Sequence, residues 1–403
     1  MNAREPVTAP RAAAAPDAHP DLVHQLVETL EQLLRLPDPP ESRWHRAGVS
    51  ARAERRIDVI SGLVVVLLVA GWSYTIAQVS RERAAGITGP RASVTAAITA
   101  TDAPNAAYLT DAALSALAPL RGESGRLRVA LRTPGEVVGD SARGDDAHVT
   151  VSGGEVAAPS ESAPAQPGIF RVAVAIGNAL RPIADFNVIS LVPFSSKERG
   201  RIGTYFVGNW PGERGRAPSS GGVTYMPPRG FIEVTLQNRD THVSEHFRLR
   251  DFLTKDQPNV WPKYLVLEPK LLDKLELVLA DLRARGIDTK GVTVMSGFRT
   301  PNYNASGGDT RGRASLSRHM YGDAADVFID NDGNGRMDDL NRDGREDLRD
   351  ARVIEEAVTR VERAYPALVG GCGVYVATSA HGPFTHIDTR GYRARWVETG
   401  DSE

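Results

Sequence analysis

SRHMYGDAADVFIDNDGNGRMDDLNRDGREDLRDA, Ser317 to Ala351, joins one histidine to a long run of aspartates, asparagines and regularly placed glycines. It divides in two. In its first part His319 stands seven residues before Asp326, and Gly322, Ala324 and Ala325 keep the chain between them small and tight. Both side chains can therefore converge on one ion. Past Ile329 the oxygens follow another rule. Asp339, Asn341, Asp343, Asp347 and Asp350 fall at positions 1, 3, 5, 9 and 12 of a loop. Gly344 stands at position 6, where the backbone of an oxygen-ligated calcium loop must turn sharply. Asp330, Asp332, Asn334, Gly335 and Asp338 begin the same pattern just upstream. Imidazoles suit zinc and hard oxygens suit calcium. The stretch thus reads as two sites, one catalytic and one that orders an insertion at 330–350; a solvated acidic loop without metal is the alternative for the second.

Downstream lies Thr385-His386-Ile387-Asp388. In a strand, residues two apart share a face, so His386 and Asp388 point the same way. His319, Asp326 and His386 together give two imidazoles and one carboxylate, leaving a fourth position for water as a catalytic zinc requires. A lone histidine is more often structural than a ligand. Combined with Ser296-Gly297-Phe298-Arg299 upstream, the set reads as a metal centre. His381, in Ser379-Ala380-His381-Gly382, lies close by in sequence, whereas His242 and His246 read as structural or surface groups.

Working outward, Pro269 opens a helix whose Leu271, Leu275, Val278 and Leu282 form one apolar stripe, stopped at Gly286. A second helix is expected over 349–365, carrying Val353, Ile354, Ala357, Val358 and Val361. GVTVMSGFR (Gly291 to Arg299) and PFTHIDTRG (Pro383 to Gly391) read as strands. Before them, FRVAVAIG, DFNVISLVPF, IGTYFVGNW and GFIEVTLQN are short alternating runs between Gly, Pro and Asn turns, which predict a small β domain over 165–237. RLRVALR (Arg126 to Arg132) alternates like a strand and 106–120 has helical spacing, while 135–168, rich in Gly, Ser, Ala and Pro, reads as a linker.

Further upstream, Val59 to Val79 runs 21 residues without a charge. At 1.5 Å per residue this matches a hydrocarbon core of roughly 30 Å. Segment 57–79 is expected to be a single transmembrane helix. Arg43, Arg46, Arg52, Arg55 and Arg56 precede it, against Arg81, Arg83 and Arg91 after it. This charge bias predicts a cytoplasmic N-terminal segment, 1–56, and an exported remainder. Leu22 to Leu36 repeats apolar residues at helical spacing, a short amphipathic helix that could meet a cytoplasmic partner.

Composition adds exclusions. The net charge is −2 over 403 residues, and no basic patch interleaved with aromatics occurs, so nucleic acid is not expected as a partner. The single cysteine, Cys372, excludes an intrachain disulfide and reads as a small buried residue.

These residues resemble the zinc D-alanyl-D-alanine carboxypeptidases and murein endopeptidases, whose pattern runs SGYR, then SxHxxGxAxD, then a terminal HxD before an Arg/Trp segment. Here the pattern reads Ser296 to Arg299, Ser317 to Asp326, and His386-Ile387-Asp388 with Arg395-Trp396. His246 to Phe252 is similar to the segment that opens the family's domain, and the likeness covers about 240–397. It implies that His319, Asp326 and His386 bind zinc, with Arg299 holding substrate or developing oxyanion and Ser317 at the substrate. Many relatives carry a glutamate three residues before the last zinc histidine, where this chain has Pro383. Asp388 is therefore assigned as general base, with support of the His386 ligand as its alternative role; His381 is the other candidate for moving a proton. The acidic tandem resembles dockerin-type calcium loops, departing from them at Glu346 and at Asn341, the twelfth position of the first loop.

The expected architecture is α+β: a C-terminal peptidase domain at 238–403 with a small antiparallel sheet and flanking helices. A β-sandwich-like domain (165–237), an exported linker region (80–164) and the membrane helix precede it. The expected function is hydrolysis of peptidoglycan stems or crosslinks outside the inner membrane; the alternative is an inactive wall-binding or scaffolding protein.

Overall fold

In the computed structural model, Gly62 and residues 113–139, 147–152, 160–177, 179–307, 313–379 and 381–398 are described. The chain divides into two compact units, Met1–Arg81 and Glu82–Glu403, and the elements below all belong to the second.

Four strands form the first sheet: β1 (Val129–Arg132), β2 (Ala147–Ser152), β3 (Gly168–Ile176) and β4 (Ala179–Ser190). Their order is β1-β4-β3-β2, with β1 parallel to β4 and the other pairs antiparallel. Alternation along β3 buries Phe170, Val172, Val174 and Ile176, which join Ala113, Leu117 and Phe186 in a core of their own.

The chain then passes through β5 (Val192–Pro193) and two short ribbons. These pair β6 (Arg201–Ile202) with β7 (Tyr205–Phe206), and β8 (Ser219–Ser220) with β9 (Val223–Thr224). Next come β10 (Gly230–Val234) and β11 (Lys263–Leu265), which with β5 form a three-stranded antiparallel sheet in the order β11-β10-β5.

The remaining elements are α1 (Pro269–Ala284), β12 (Val292–Ser296), α2 (Pro301–Ser306), β13 (Ala324–Ile329), α3 (Leu348–Ala364), β14 (Gly371–Tyr375), β15 (Phe384–Asp388) and β16 (Ala394–Glu398). Their five strands lie in the order β12-β13-β15-β14-β16; all pairs are antiparallel except β14 with β16. Leu271, Leu275, Val278 and Leu282 of α1 share one core with Ile354, Ala357, Val358 and Val361 of α3. The odd-numbered Ala325, Val327, Ile329 and Ile387, with Cys372 and Val374, complete that core from the sheet. Each fully buried aliphatic side chain there contributes about 1.5–3 kcal/mol of transfer free energy. One face of the sheet is thereby spent on packing, and the alternate residues are left for chemistry.

The expected fold class needs correction on three points. The C-terminal sheet is mixed rather than antiparallel, because β16 returns alongside β14 in the same direction. The region 165–237 is not a separate sandwich: β3 and β4 pair with β1 and β2 from outside it, and β10 pairs with β11 across the expected boundary. Residues from Ile189 to Val234 belong to the same core as α1 and α3, and the expected linker at 135–168 contains β2. Finally, no helix among the described residues is long and apolar enough to cross a membrane. The 57–79 segment, Gly62 apart, and the amphipathic 22–36 segment lie outside the described residues.

Candidate metal centre

Strand register aligns one residue from every strand of the large sheet. Ser296 pairs with Asp326, Asp326 with His386, His386 with Gly373, and Gly373 with Trp396. This row lies on the face opposite the helices. His319 reaches it from a 3-10 turn, Arg318–Tyr321, that ends at Gly322. Gly322 has φ +72°, and a Cβ there would meet the Val266 carbonyl at 2.5 Å, so the turn that carries His319 back to β13 requires glycine.

Donor atoms of His319, Asp326 and His386 gather into one group, and all three residues are buried. His319 Nε2 lies 3.2 Å from His386 Nδ1 and 3.2 Å from Asp326 Oδ1; His386 Nδ1 lies 2.9 Å from the same oxygen. The outward nitrogens decide the tautomers. His319 Nδ1 faces the carbonyl of Gly297 at 2.6 Å, and a carbonyl can only accept, so the ring proton sits there. His386 Nε2 faces the carboxylate of Asp388 at 3.0 Å and donates to it. In their neutral forms both rings therefore turn a bare lone pair toward the same carboxylate oxygen. Three lone pairs about 3 Å apart in a buried site repel unless a cation lies among them.

The titration of these groups follows. Burial opposes charge on His386, but hydrogen bonds to Asp326 and Asp388 outweigh it and push its pKa up to about 9. Burial holds His319 below the ordinary histidine value. Burial would raise Asp326, yet the two histidines and Arg299 overcome it and hold the carboxyl well below the usual range. Without metal, a proton on His386 Nδ1 supplies the missing charge. A divalent ion bound by the two nitrogens and one oxygen would displace that proton, and the donor set fits a metal of the zinc type.

The groups behind the donors are engaged. Arg299 Nη2 donates to Asp326 Oδ2 (2.6 Å) and its Nε to Ser296 Oγ (2.8 Å), leaving Oδ1 for the centre. Asp388 is fully buried. Besides His386, its carboxylate accepts from Gly371 N–H (2.7 Å), Arg390 N–H (3.0 Å) and the Arg390 guanidinium (Nε to Oδ2, 2.9 Å). Burial would raise its pKa, but His386 and Arg390 hold it well below the usual range. Its backbone carbonyl accepts from Lys274 Nζ (2.7 Å), which also meets Glu362 at 2.8 Å. Trp210 Nε1 donates to Met320 O (2.8 Å), bracing the His319 turn. Arg390, Lys274, Glu362 and Trp210 were not singled out in the sequence. Arg390 follows Asp388 by two residues and could have been found from that spacing; the others come from distant segments.

His381 stands outside the donor group. It lies edge-on to Phe384 (4.9 Å), and its Nδ1 donates to the Gly382 carbonyl (2.8 Å), so that in the neutral ring Nε2 is the accepting nitrogen. Ser317 is buried at the residue preceding the His319 turn.

The two acidic loops share one hydrogen-bond pattern, nine residues apart. Asn334 N–H meets Asp330 and Asp332 (both 3.0 Å), and Gly335 N–H meets Asp330 (2.8 Å). Likewise Asp343 N–H meets Asp339 (3.1 Å) and Asn341 (2.8 Å), and Gly344 N–H meets Asp339 (2.7 Å). The loops then differ. Asp330, Asp332 and Asp338 gather their oxygens into one group. In the second loop Asp350 is buried, accepting from Leu340, Asn341 and Asp347 N–H groups as the internal cap of α3. Arg349 neutralises Asp343 (2.7 Å) and Asp347 (2.9 Å). A third grouping, Glu245, His246 and Glu276, is satisfied internally: His246 lies 2.7 Å from Glu276 through one nitrogen and 2.7 Å from Arg283 through the other.

Comparisons of the chain with protein-family models, with curated proteins and with solved structures returned no match.

Proposed function

We propose that the chain is a zinc metallopeptidase that hydrolyses peptide stems or crosslinks of peptidoglycan. The observation that carries the metal reading is the pair of bare imidazole nitrogens facing one carboxylate oxygen across about 3 Å. The substrate class rests on the resemblance of Ser296–Arg299, Ser317–Asp326 and His386–Asp388 to the carboxypeptidase and endopeptidase motifs. When bound, zinc would supply an acidified water and an electrophile for the peptide carbonyl.

The residues divide the remaining work. His319, Asp326 and His386 hold the ion, and Arg299 fixes the free oxygen of Asp326. Asp388, walled in by Arg390 and Gly371, fixes the His386 tautomer, a geometry that favours an orienting role over that of base. The accepting Nε2 of His381 is then the group that takes the proton from water and returns it to the leaving amine. Calcium at Asp330, Asp332 and Asp338 would order the insertion ahead of α3, with Asn334 as a further oxygen donor.

The test is incubation of the full chain with purified peptidoglycan, with and without a zinc chelator, followed by mass spectrometry of the products. Release of a terminal D-alanine identifies a carboxypeptidase; separated crosslinked dimers identify an endopeptidase. No product from folded, zinc-loaded protein overturns the peptidase reading and leaves the wall-binding alternative.

A further inference from the structure

The Ser296–Trp396 row has one position without a side chain, Gly373, and the indole of Trp396 lies in that space. A Cβ on Gly373 would meet the ring at 2.2 Å. Lying there, Trp396 reaches within 5.2 Å of the His386 ring, centroid to centroid, and its Nε1 donates to the hydroxyl of Tyr375 at 2.9 Å. Tyr375 stands two residues beyond Gly373 on β14, hence on the same face as the metal donors. Its ring is fixed by parallel stacking on Phe384, at 4.3 Å and 8°, and Phe384 precedes His386 by two residues on β15.

Among the described residues the phenol takes part in a single hydrogen bond, the one it accepts from Trp396. Its own proton is therefore uncommitted, on a half-buried residue two positions along β14 from the row and held by Phe384 and Trp396. Burial, opposed by the bond from Trp396, raises the phenol above the ordinary tyrosine value, and Asp326, Glu398 and Arg299 are the charged groups that act on it. Arg299, another donor on this face, already spends Nε on Ser296 and Nη2 on Asp326.

We propose that the Tyr375 hydroxyl is a catalytic hydrogen-bond donor, binding the carbonyl oxygen of a peptide at the centre as that oxygen gains negative charge. The inference rests on the peptidase reading and deepens it. A prepositioned donor in a half-buried site stabilises developing charge without reorganising, which is where such donors contribute most. Trp396 is the positioning residue: it occupies the phenol's lone pair and aims the proton away from β16.

Tyr375→Phe removes the hydroxyl and keeps the stack on Phe384. Two readouts on the zinc- or cobalt-loaded full chain test it. With peptidoglycan, kcat should fall about 10²–10³-fold while KM and metal content stay unchanged. With cobalt in place of zinc, the visible spectrum titrated with acetohydroxamate, a small oxyanion that needs no peptidase activity, should show roughly tenfold weaker binding, equal to about 1.4 kcal/mol. An unchanged kcat in a folded, metal-loaded variant overturns the proposal. If the wild-type chain cleaves no peptidoglycan, the peptidase reading fails and the acetohydroxamate titration decides alone: weakened binding keeps Tyr375 as the oxyanion donor, and unchanged binding removes it. Trp396→Phe, which retains an aromatic ring over Gly373, should move both readouts in the same direction by a smaller factor.

Discussion

The Ser296–Trp396 row and the Asp330–Asp350 loops each collect oxygen or nitrogen donors, but they satisfy them differently. In the row the donors are buried, and their other atoms are pinned by Gly297, Asp388 and Arg299, so the protein leaves three lone pairs facing one another. In the loops the carboxylates, Asp350 apart, are half-buried or exposed, and Asp330 and Asp339 accept from the backbone N–H groups of their own turns. A cation is built into the electrostatics of the first region. In the second it is an addition to a turn that already closes on itself. Burial makes the difference, since an unpaired lone pair costs little in water and several kcal/mol away from it.

The largest effect that could break this comparison is at His319. His319→Ala should abolish stoichiometric zinc binding, measured by metal analysis after dialysis, and take peptidoglycan cleavage to background; zinc retained at full affinity would show that the row is not a metal site. Next comes Asp388→Asn. As the group that orients His386, its loss should weaken metal binding by about 10–100-fold in a competition titration with a chromogenic chelator. Full metal affinity with no activity would instead make Asp388 the base.

The loops sharpen the contrast. Asp332→Asn should remove any rise in melting temperature caused by millimolar calcium, whereas Asp343→Asn, already paired with Arg349, should leave most of it. At calcium 100-fold above Kd the effect removed would be about 2.7 kcal/mol. Equal losses in both variants would mean that the second loop binds as well.

A smaller effect is the pH response of the metal-free chain. His386 has its pKa raised from 6.5 to about 9. Its stabilising contribution is complete below 6.5 and is lost as pH rises through about 9. His319, lowered from 6.5, opposes this only below that value. Thermal stability of the metal-free protein should therefore fall between pH 6.5 and 9, and zinc should abolish the decline, because the ion replaces the proton. A decline that persists unchanged with zinc would separate the titration from the site. The smallest expected change is Gly373→Ala, a clash with Trp396 costing about 1–3 kcal/mol by chemical denaturation.

Much of the site was legible because its spacing is short-range. Seven residues with a glycine turn bring His319 to Asp326, and period two places His386 beside Asp388 on a strand face. The apolar stripe of α1 and the punctuation at Pro269 and Gly286 were likewise local signals. The roles behind the donors were not legible in the same way. Asp388 is spaced like a base, yet Gly371 and Arg390 close around it, and that enclosure depends on β14 lying next to β15. The acidic loops look equivalent by residue type; Asp350, folded into the first turn of α3 as its cap, and Arg349, paired with Asp343 and Asp347, distinguish them.

Residue chemistry over a few positions was enough to pick out the His319, Asp326 and His386 donors, the helices α1 and α3, and the strand character of β12 and β15. Tertiary structure decided which strands are neighbours. It divided the expected sandwich between two cores, drew the expected linker into the first of them, ran β16 parallel to β14, and brought Trp396 across Gly373 to Tyr375. Strand pairing between distant segments is set by which buried faces fit together, a choice that no local pattern encodes.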